Sequence, residues 1–216
     1  MRLPNDQQRL SVIGATGSGK THAALWHLSL RNYDEKPWII YDFKREEMIN
    51  DIEGIQHITF NDPIPHRAGL YVIHPLPDQE DIIDAHMKKI WAQQDVGVFV
   101  DEAYMVGNRN AGFRFLLTQG RSLHIPMIIL QQRPVWVDRF VFSESDFYQV
   151  FRLQNEDDLA TVQKYIPHDI GQRLPEYHSY YYDVKANEVV VMKPTPDRDA
   201  ILDTFYTKLR RLRKVV

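Results

Sequence analysis

Short apolar runs alternate with stretches whose apolar residues recur every three or four positions. That alternation predicts an α/β layer fold with a largely parallel sheet. Strands are expected over residues 9–13, 38–42, 56–60, 69–73, 96–100 and 127–130, with a weaker one over 148–153. The runs ending at Val100 and Leu130 are almost continuously apolar, as strands covered on both faces should be. Helical spacing predicts helices over 20–31, 79–92, 112–119 and 156–165. In the second, Ile82, Ile83, Met87, Ile90 and Trp91 share one side, and Asp78 stands in the N-cap position. Residues 177–184 and 188–192 flank Lys185-Ala186-Asn187 and predict a β-hairpin. A final amphipathic helix is expected over about 196–214, and 61–68 reads as loop. No internal repeat or low-complexity segment interrupts the pattern.

With 216 residues, 44% of them hydrophobic, the chain can bury one substantial core, so 1–216 is expected to be a single domain. A net charge of −3 gives no global attraction to nucleic acid or an anionic membrane. The absence of cysteine excludes disulfides and cysteine-ligated metal. No run approaches the roughly 20 apolar residues of a membrane span, and Met1-Arg-Leu-Pro-Asn-Asp6 lacks the form of a secretory signal. The expectation is a protein of the cytosol, a host's cytosol included.

Candidate chemistry sharpens this picture. Gly14-Ala15-Thr16-Gly17-Ser18-Gly19-Lys20-Thr21 follows the first strand and opens the first helix. Its pattern, G-x-x-x-x-G-K-[ST], lets backbone N–H groups close around a phosphate. Lys20 would reach the β- and γ-phosphates of a nucleoside triphosphate, and the Thr21 hydroxyl would hold Mg²⁺. A chance match in a chain this long has odds on the order of one in a hundred. The run 96–100 ends in Asp101-Glu102, where ligand sites of parallel sheets lie. Asp101 is expected to serve the Mg²⁺, and Glu102 to polarise the water that attacks the γ-phosphate. The run 127–130 ends in Gln131-Gln132-Arg133-Pro134, and a sensor glutamine there would report the γ-phosphate. Gln132 is assigned that part, although sequence barely separates it from Gln131. Arg109, in a turn-rich loop, and Arg121, after Gly120, are candidates for a finger that stabilises a neighbouring subunit's transferring phosphoryl group. His22 follows the phosphate loop and could approach the nucleotide. From Lys208 to Lys214 there are five positive charges in seven residues, suited to DNA backbone, anionic lipid or an acidic partner, or to a solvated helix end.

Four blocks together resemble the FtsK–HerA superfamily of P-loop DNA-translocating ATPases. They are the phosphate loop from Gly14, Val98–Tyr104 (VFVDEAY), Gly120–Pro134 (GRSLHIPMIILQQRP) and Tyr180–Pro194 (YYYDVKANEVVVMKP). The resemblance is nearest to the small genome-packaging ATPases of tailless icosahedral viruses with an internal membrane. It implies a RecA/FtsK-like P-loop NTPase fold and an ATPase that uses ATP and Mg²⁺. It also implies a homo-oligomeric ring, usually a hexamer, that threads double-stranded DNA into a preformed capsid. The setting would be the host cytoplasm or the virion's packaging vertex, with vertex or viral membrane proteins as further partners. Carried over by position, Lys20 and Thr21 grip the nucleotide, Asp101 and Glu102 are the metal and water-activating acids, and Gln132 is the sensor. Arg121 is the best-placed finger. Ile40-Tyr-Asp42-Phe-Lys44 resembles the superfamily's second strand, which ends in an acid and a nearby lysine. Lys44, Arg45, Arg109 and the C-terminal cluster are candidates for lining the pore.

Two other classes fit part of the pattern. A nucleoside-type P-loop kinase would suit the size and the phosphate loop, but no arginine-rich lid segment is evident. A nucleotide-gated phage morphogenesis protein would generally carry a transmembrane segment, which is missing from the sequence.

Overall fold

The computed structural model describes residues 1–107 and 110–214, with side chains as far as residue 212. Arg109 lies outside the described residues. In chain order the elements begin β1 (Arg9–Ile13), α1 (Lys20–Ser29), β2 (Pro37–Tyr41), α2 (Glu47–Asn50), β3 (Gln56–His57) and β4 (Gly69–Ile73). Next come α3 (Glu80–Gln93), β5 (Gly97–Val100), α4 (Ala111–Gln119), β6 (Met127–Gln131), α5 (Arg139–Ser143) and β7 (Phe147–Val150). The chain ends with α6 (Glu156–Gln163), β8 (Ser179–Asp183), β9 (Glu188–Met192) and α7 (Arg198–Lys214).

The nine strands of the described residues form one sheet in the order β3-β4-β2-β5-β6-β1-β7-β8-β9. Pairing is parallel from β3 to β7 and antiparallel from β7 to β9. The continuously apolar runs have a direct cause in this arrangement. Tyr41, Val98, Val100 and Ile129 enter one core with Ile83 and Met87 of α3 and Phe113 and Leu116 of α4. Ile40, Phe99, Ile128 and Leu130 enter the other with Ala24 and Leu28 of α1 and Phe205 of α7. Alternating residues therefore face opposite sides, and both sides are covered.

Several boundaries differ from expectation. The expected strand 56–60 is two residues long, at the sheet edge. That over 148–153 becomes Phe147–Val150, because the chain then leaves the sheet to meet the phosphate loop. Helix α3 starts at Glu80; Gln79 precedes it and accepts a bond from the Leu76 N–H, so Asp78 does not cap it. The short helices α2 and α5 and the 3-10 turns Ala103–Val106 and Pro134–Trp136 were not anticipated. Each spans too few residues for periodicity to be readable. No helix among the described residues is long and apolar enough to cross a membrane.

Candidate nucleotide site

The phosphate loop joins β1 to α1 at the carboxyl end of the parallel strands. Two backbone bonds pin it from both sides: Gly14 N–H to the Gln131 carbonyl and Ala15 N–H to the Arg152 carbonyl, each 3.1 Å. Gly14 is required by space, since a Cβ there would stand 2.5 Å from Ser18 Oγ and 2.7 Å from Phe151 Cβ. Gly19, at φ 93°, turns the chain into α1, and no side chain caps the helix. The first-turn N–H groups are left to the loop, and with the positive end of the helix dipole they form an anion cradle. Ser18 Oγ is buried there without a partner among the described residues. Lys20 is buried, with Nζ 3.5 Å from Glu102 Oε1, and Thr21 follows on the same turn.

β6 lies between β1 and β5, so its exit faces the phosphate loop on one side and the acid pair on the other. Asp101 stays in register through its N–H bond to the Tyr41 carbonyl, 3.0 Å. Both acids are fully buried. Burial first, then the charge of Glu102, pushes the Asp101 carboxyl up to about 7, against the opposing pull of Lys44. Neither Asp101 oxygen has a hydrogen-bond partner among the described residues. Glu102 holds a left-handed backbone, φ 63° and ψ 72°, which a side chain rarely adopts and which costs on the order of 1 kcal/mol or more. Its Oε1 accepts from Lys44 Nζ. Burial works against charge on Lys44, but the bond to Glu102 and the nearby acids outweigh it, and its pKa ends above the ordinary value.

The two glutamines separate cleanly. Gln131 is buried in the sheet and donates to Ser11 Oγ at 3.2 Å. Gln132, one residue on, turns out of the strand. Its Nε2 donates to Thr16 Oγ1 of the phosphate loop, and its Oε1 lies 3.5 Å from Lys44 Nζ. Lys20, Asp101, Glu102 and Gln132 thus converge with the loop.

Arg121 does not join them. It sits in the turn before β6, at the opposite end of the strands, with its side chain 59% exposed and Nη1 3.7 Å from Asp146 Oδ1. A five-residue strand separates the two ends by roughly 17 Å, so Arg121 does not reach the phosphate loop of its own chain. His22 is engaged elsewhere, its Nε2 2.7 Å from the Pro196 carbonyl oxygen. In the C-terminal cluster, Lys208 is also committed: it donates to the Arg31 carbonyl, lies 3.6 Å from Asp34 and stands over the Tyr33 ring.

A cleft of about 560 Å³ opens beside the loop, lined by Thr16 to Ser18, the exit of β7 and residues 170–178. Phe151, Arg152 and Tyr177 are its prominent side chains, with Tyr177 Cδ1 3.2 Å from where a Gly19 Cβ would stand. Sequence reading missed this wall, which belongs largely to irregular chain with no periodicity to betray it. Among the described residues no group of three or more His, Cys, Asp or Glu could hold a metal by itself. A cation bound here would need Thr21 and the phosphates besides Asp101.

No family model matches the chain. The DNA packaging ATPase P9 of Enterobacteria phage PRD1 is 47% identical over 216 residues, covering 95% of this chain and 95% of that protein. The chain belongs to the family of that viral DNA packaging ATPase. Solved structures agree on the fold of this packaging ATPase. The genome packaging NTPase B204 of Sulfolobus turreted icosahedral virus 2, in complex with ATP-gammaS, matches with a TM-score of 0.71 at 18% identity, covering 89% of this chain and all of that one. The same NTPase with sulfate reaches 0.73. EssC (ATPases 2 and 3) from Geobacillus thermodenitrificans matches at 0.65 and 15% identity, over 97% of this chain and 44% of that one. The fold is therefore that of the P-loop ATPases, as the α/β alternation and the phosphate loop led us to expect.

Proposed function

We propose that this packaging ATPase hydrolyses ATP between its phosphate loop and the Asp101–Glu102 pair, and uses the cycle to drive double-stranded DNA into a preformed viral shell. The observation that carries the reading is the meeting of three strand exits at one point: the cradle after β1, two buried acids after β5 and a polar amide after β6. ATP supplies the phosphates that the cradle and Lys20 fit. The cleft bounded by Phe151, Arg152 and Tyr177 is the place for the base and sugar.

The two orphaned, buried oxygens of Asp101, with the Thr21 hydroxyl in the first turn of α1, fit a hard divalent cation. Mg²⁺ held there would neutralise charge on the β- and γ-phosphates. The remaining work falls to the chain. Lys20 gives up its contact with Glu102 for the phosphates. Glu102 orients the attacking water and takes its proton. Gln132 exchanges Thr16 for the γ-phosphate and so distinguishes ATP from ADP. Arg121 of one subunit completes the site of the next, which requires a ring; the hexamer implied by the sequence resemblance is the assembly we propose. Lys44 meets Glu102 and is not free to line a pore. The setting is the host cytoplasm and the packaging vertex of the virion, with vertex or viral membrane proteins as anchors.

The test is steady-state phosphate release with and without linear duplex DNA, beside a native mass measurement. Stimulation by duplex and a ring mass support the motor. Stimulation by a nucleoside and not by DNA would replace it with a kinase, and formation of shells depending on nucleotide binding alone would favour a morphogenesis role.

A further inference from the structure

We propose that Lys44 is a positioning residue for hydrolysis, holding the Glu102 carboxylate toward the nucleotide and setting which end of the Gln132 amide faces the γ-phosphate. The inference rests on the reading of Glu102 as the water-activating acid.

Two adjacent acids with no exposed surface need cations close by, since a buried charge without a partner is strongly unfavourable. Among the described residues, Lys20 and Lys44 are the two ammonium groups that reach Glu102 Oε1. Lys20 is committed to phosphate once nucleotide enters, and Lys44 is then the partner that remains. Its place is built into the fold. β2 and β5 are neighbours, with Tyr41 opposite Val100, so the chain leaving β2 passes directly beside the acid pair. The turn beyond is fixed by the Glu46 N–H bond to Asp42 Oδ1, 3.1 Å, and by the left-handed backbone of Arg45, φ 56°. That turn directs Lys44 back over Glu102.

The second role follows from donor chemistry. An ammonium has three donors and no acceptor, so only the oxygen of the Gln132 amide can face it. With Oε1 toward Lys44 at 3.5 Å, the NH₂ end is left to point at the phosphate loop, where it now meets Thr16. A γ-phosphate offers only acceptors and needs that NH₂ end. Lys44 therefore couples the orientation of the sensor to the orientation of the base.

The test compares the full-length protein with Lys44→Met, Lys44→Arg and Gln132→Ala. Affinity for a fluorescent non-hydrolysable ATP analogue is read separately from kcat and KM. We expect Lys44→Met to lower kcat about 10- to 100-fold, while KM and analogue affinity stay within about threefold. Lys44→Arg should recover most of kcat. The Lys44→Met loss should shrink on the Gln132→Ala background, as for residues acting as a unit. If Lys44→Met proves poorly folded by thermal melting, Lys44→Gln is expected to give the same split. A kcat within twofold of wild type in either uncharged variant overturns the inference. So does a loss confined to nucleotide affinity, which would make Lys44 an ordinary phosphate contact. Glu102→Gln separates the two readings: normal turnover in that variant refutes the role of Glu102 itself, whereas an inactive Glu102→Gln beside an unaffected Lys44→Met refutes only the role of Lys44.

Discussion

Asp101→Asn should make the empty protein more stable while disabling it. An aspartate that ordinarily titrates near 3.8 and here titrates near 7 binds its proton more tightly in the folded state than in the unfolded one. Folding stability therefore falls as pH rises from 3.8 towards 7 and levels off above. Linkage puts the penalty at roughly 4 kcal/mol at pH 8 and roughly 2 kcal/mol at pH 5.5. Asp101 is fully buried, so solvent screening does not reduce these figures. For a chain of this length such energies correspond to a melting difference on the order of 10 °C at pH 8, about half of that at pH 5.5. The assay is thermal unfolding of both proteins in chelator, without nucleotide. Buried His27 and His86, held down at about 3 and about 4, destabilise both proteins alike below pH 6.5, so the difference between the two is the readout. Adding magnesium and ATP-gammaS should narrow or reverse the gap, because binding stabilises the protein that keeps its ligand. An Asp101→Asn protein that melts at or below wild type at pH 8 in chelator would refute the reasoning.

Further expectations concern the ring, the cradle and the core. Arg121→Ala and Lys20→Ala should each be inactive alone, and mixing them should restore part of the hydrolysis at sites with one intact Lys20 and a neighbour's Arg121; no recovery at any ratio removes Arg121 as the finger. Gly14→Ala drives a methyl into Ser18 and Phe151 and should abolish binding of a fluorescent ATP analogue, with wild-type affinity as the contrary result. Phe205→Ala, which empties a fully buried site under α7, should lower stability by about 3–5 kcal/mol in denaturant titration. A loss below about 1 kcal/mol would mean that α7 is not part of the folding core.

Much of this arrangement was legible in the chain. The strands ending at Val100 and Gln131 announced themselves because both faces are covered, and the phosphate loop because its glycines answer to sterics that few other residues satisfy. Strand order was not readable: that β6 separates β1 from β5 depends on long-range pairing, yet this places Gln132 between the loop and the acids. Gln132 was preferred to Gln131 on slight grounds, and the contacts that separate them appear only in three dimensions, since one step along a strand reverses a side chain's direction. Lys44 stood out beside Asp42, but its contact with Glu102 joins residues 58 apart in sequence and left no local trace. The cleft wall at 170–178 was invisible for a different reason, being irregular chain shaped by what it packs against.

The most direct test of a motor fuelled at this site is displacement of a third strand from a triplex-bearing linear duplex, for wild type and Glu102→Gln with magnesium and ATP. We predict displacement by wild type and none by Glu102→Gln, although the variant still binds nucleotide and DNA. Equal displacement by both proteins, or brisk hydrolysis by wild type with the third strand left in place, would contradict the account.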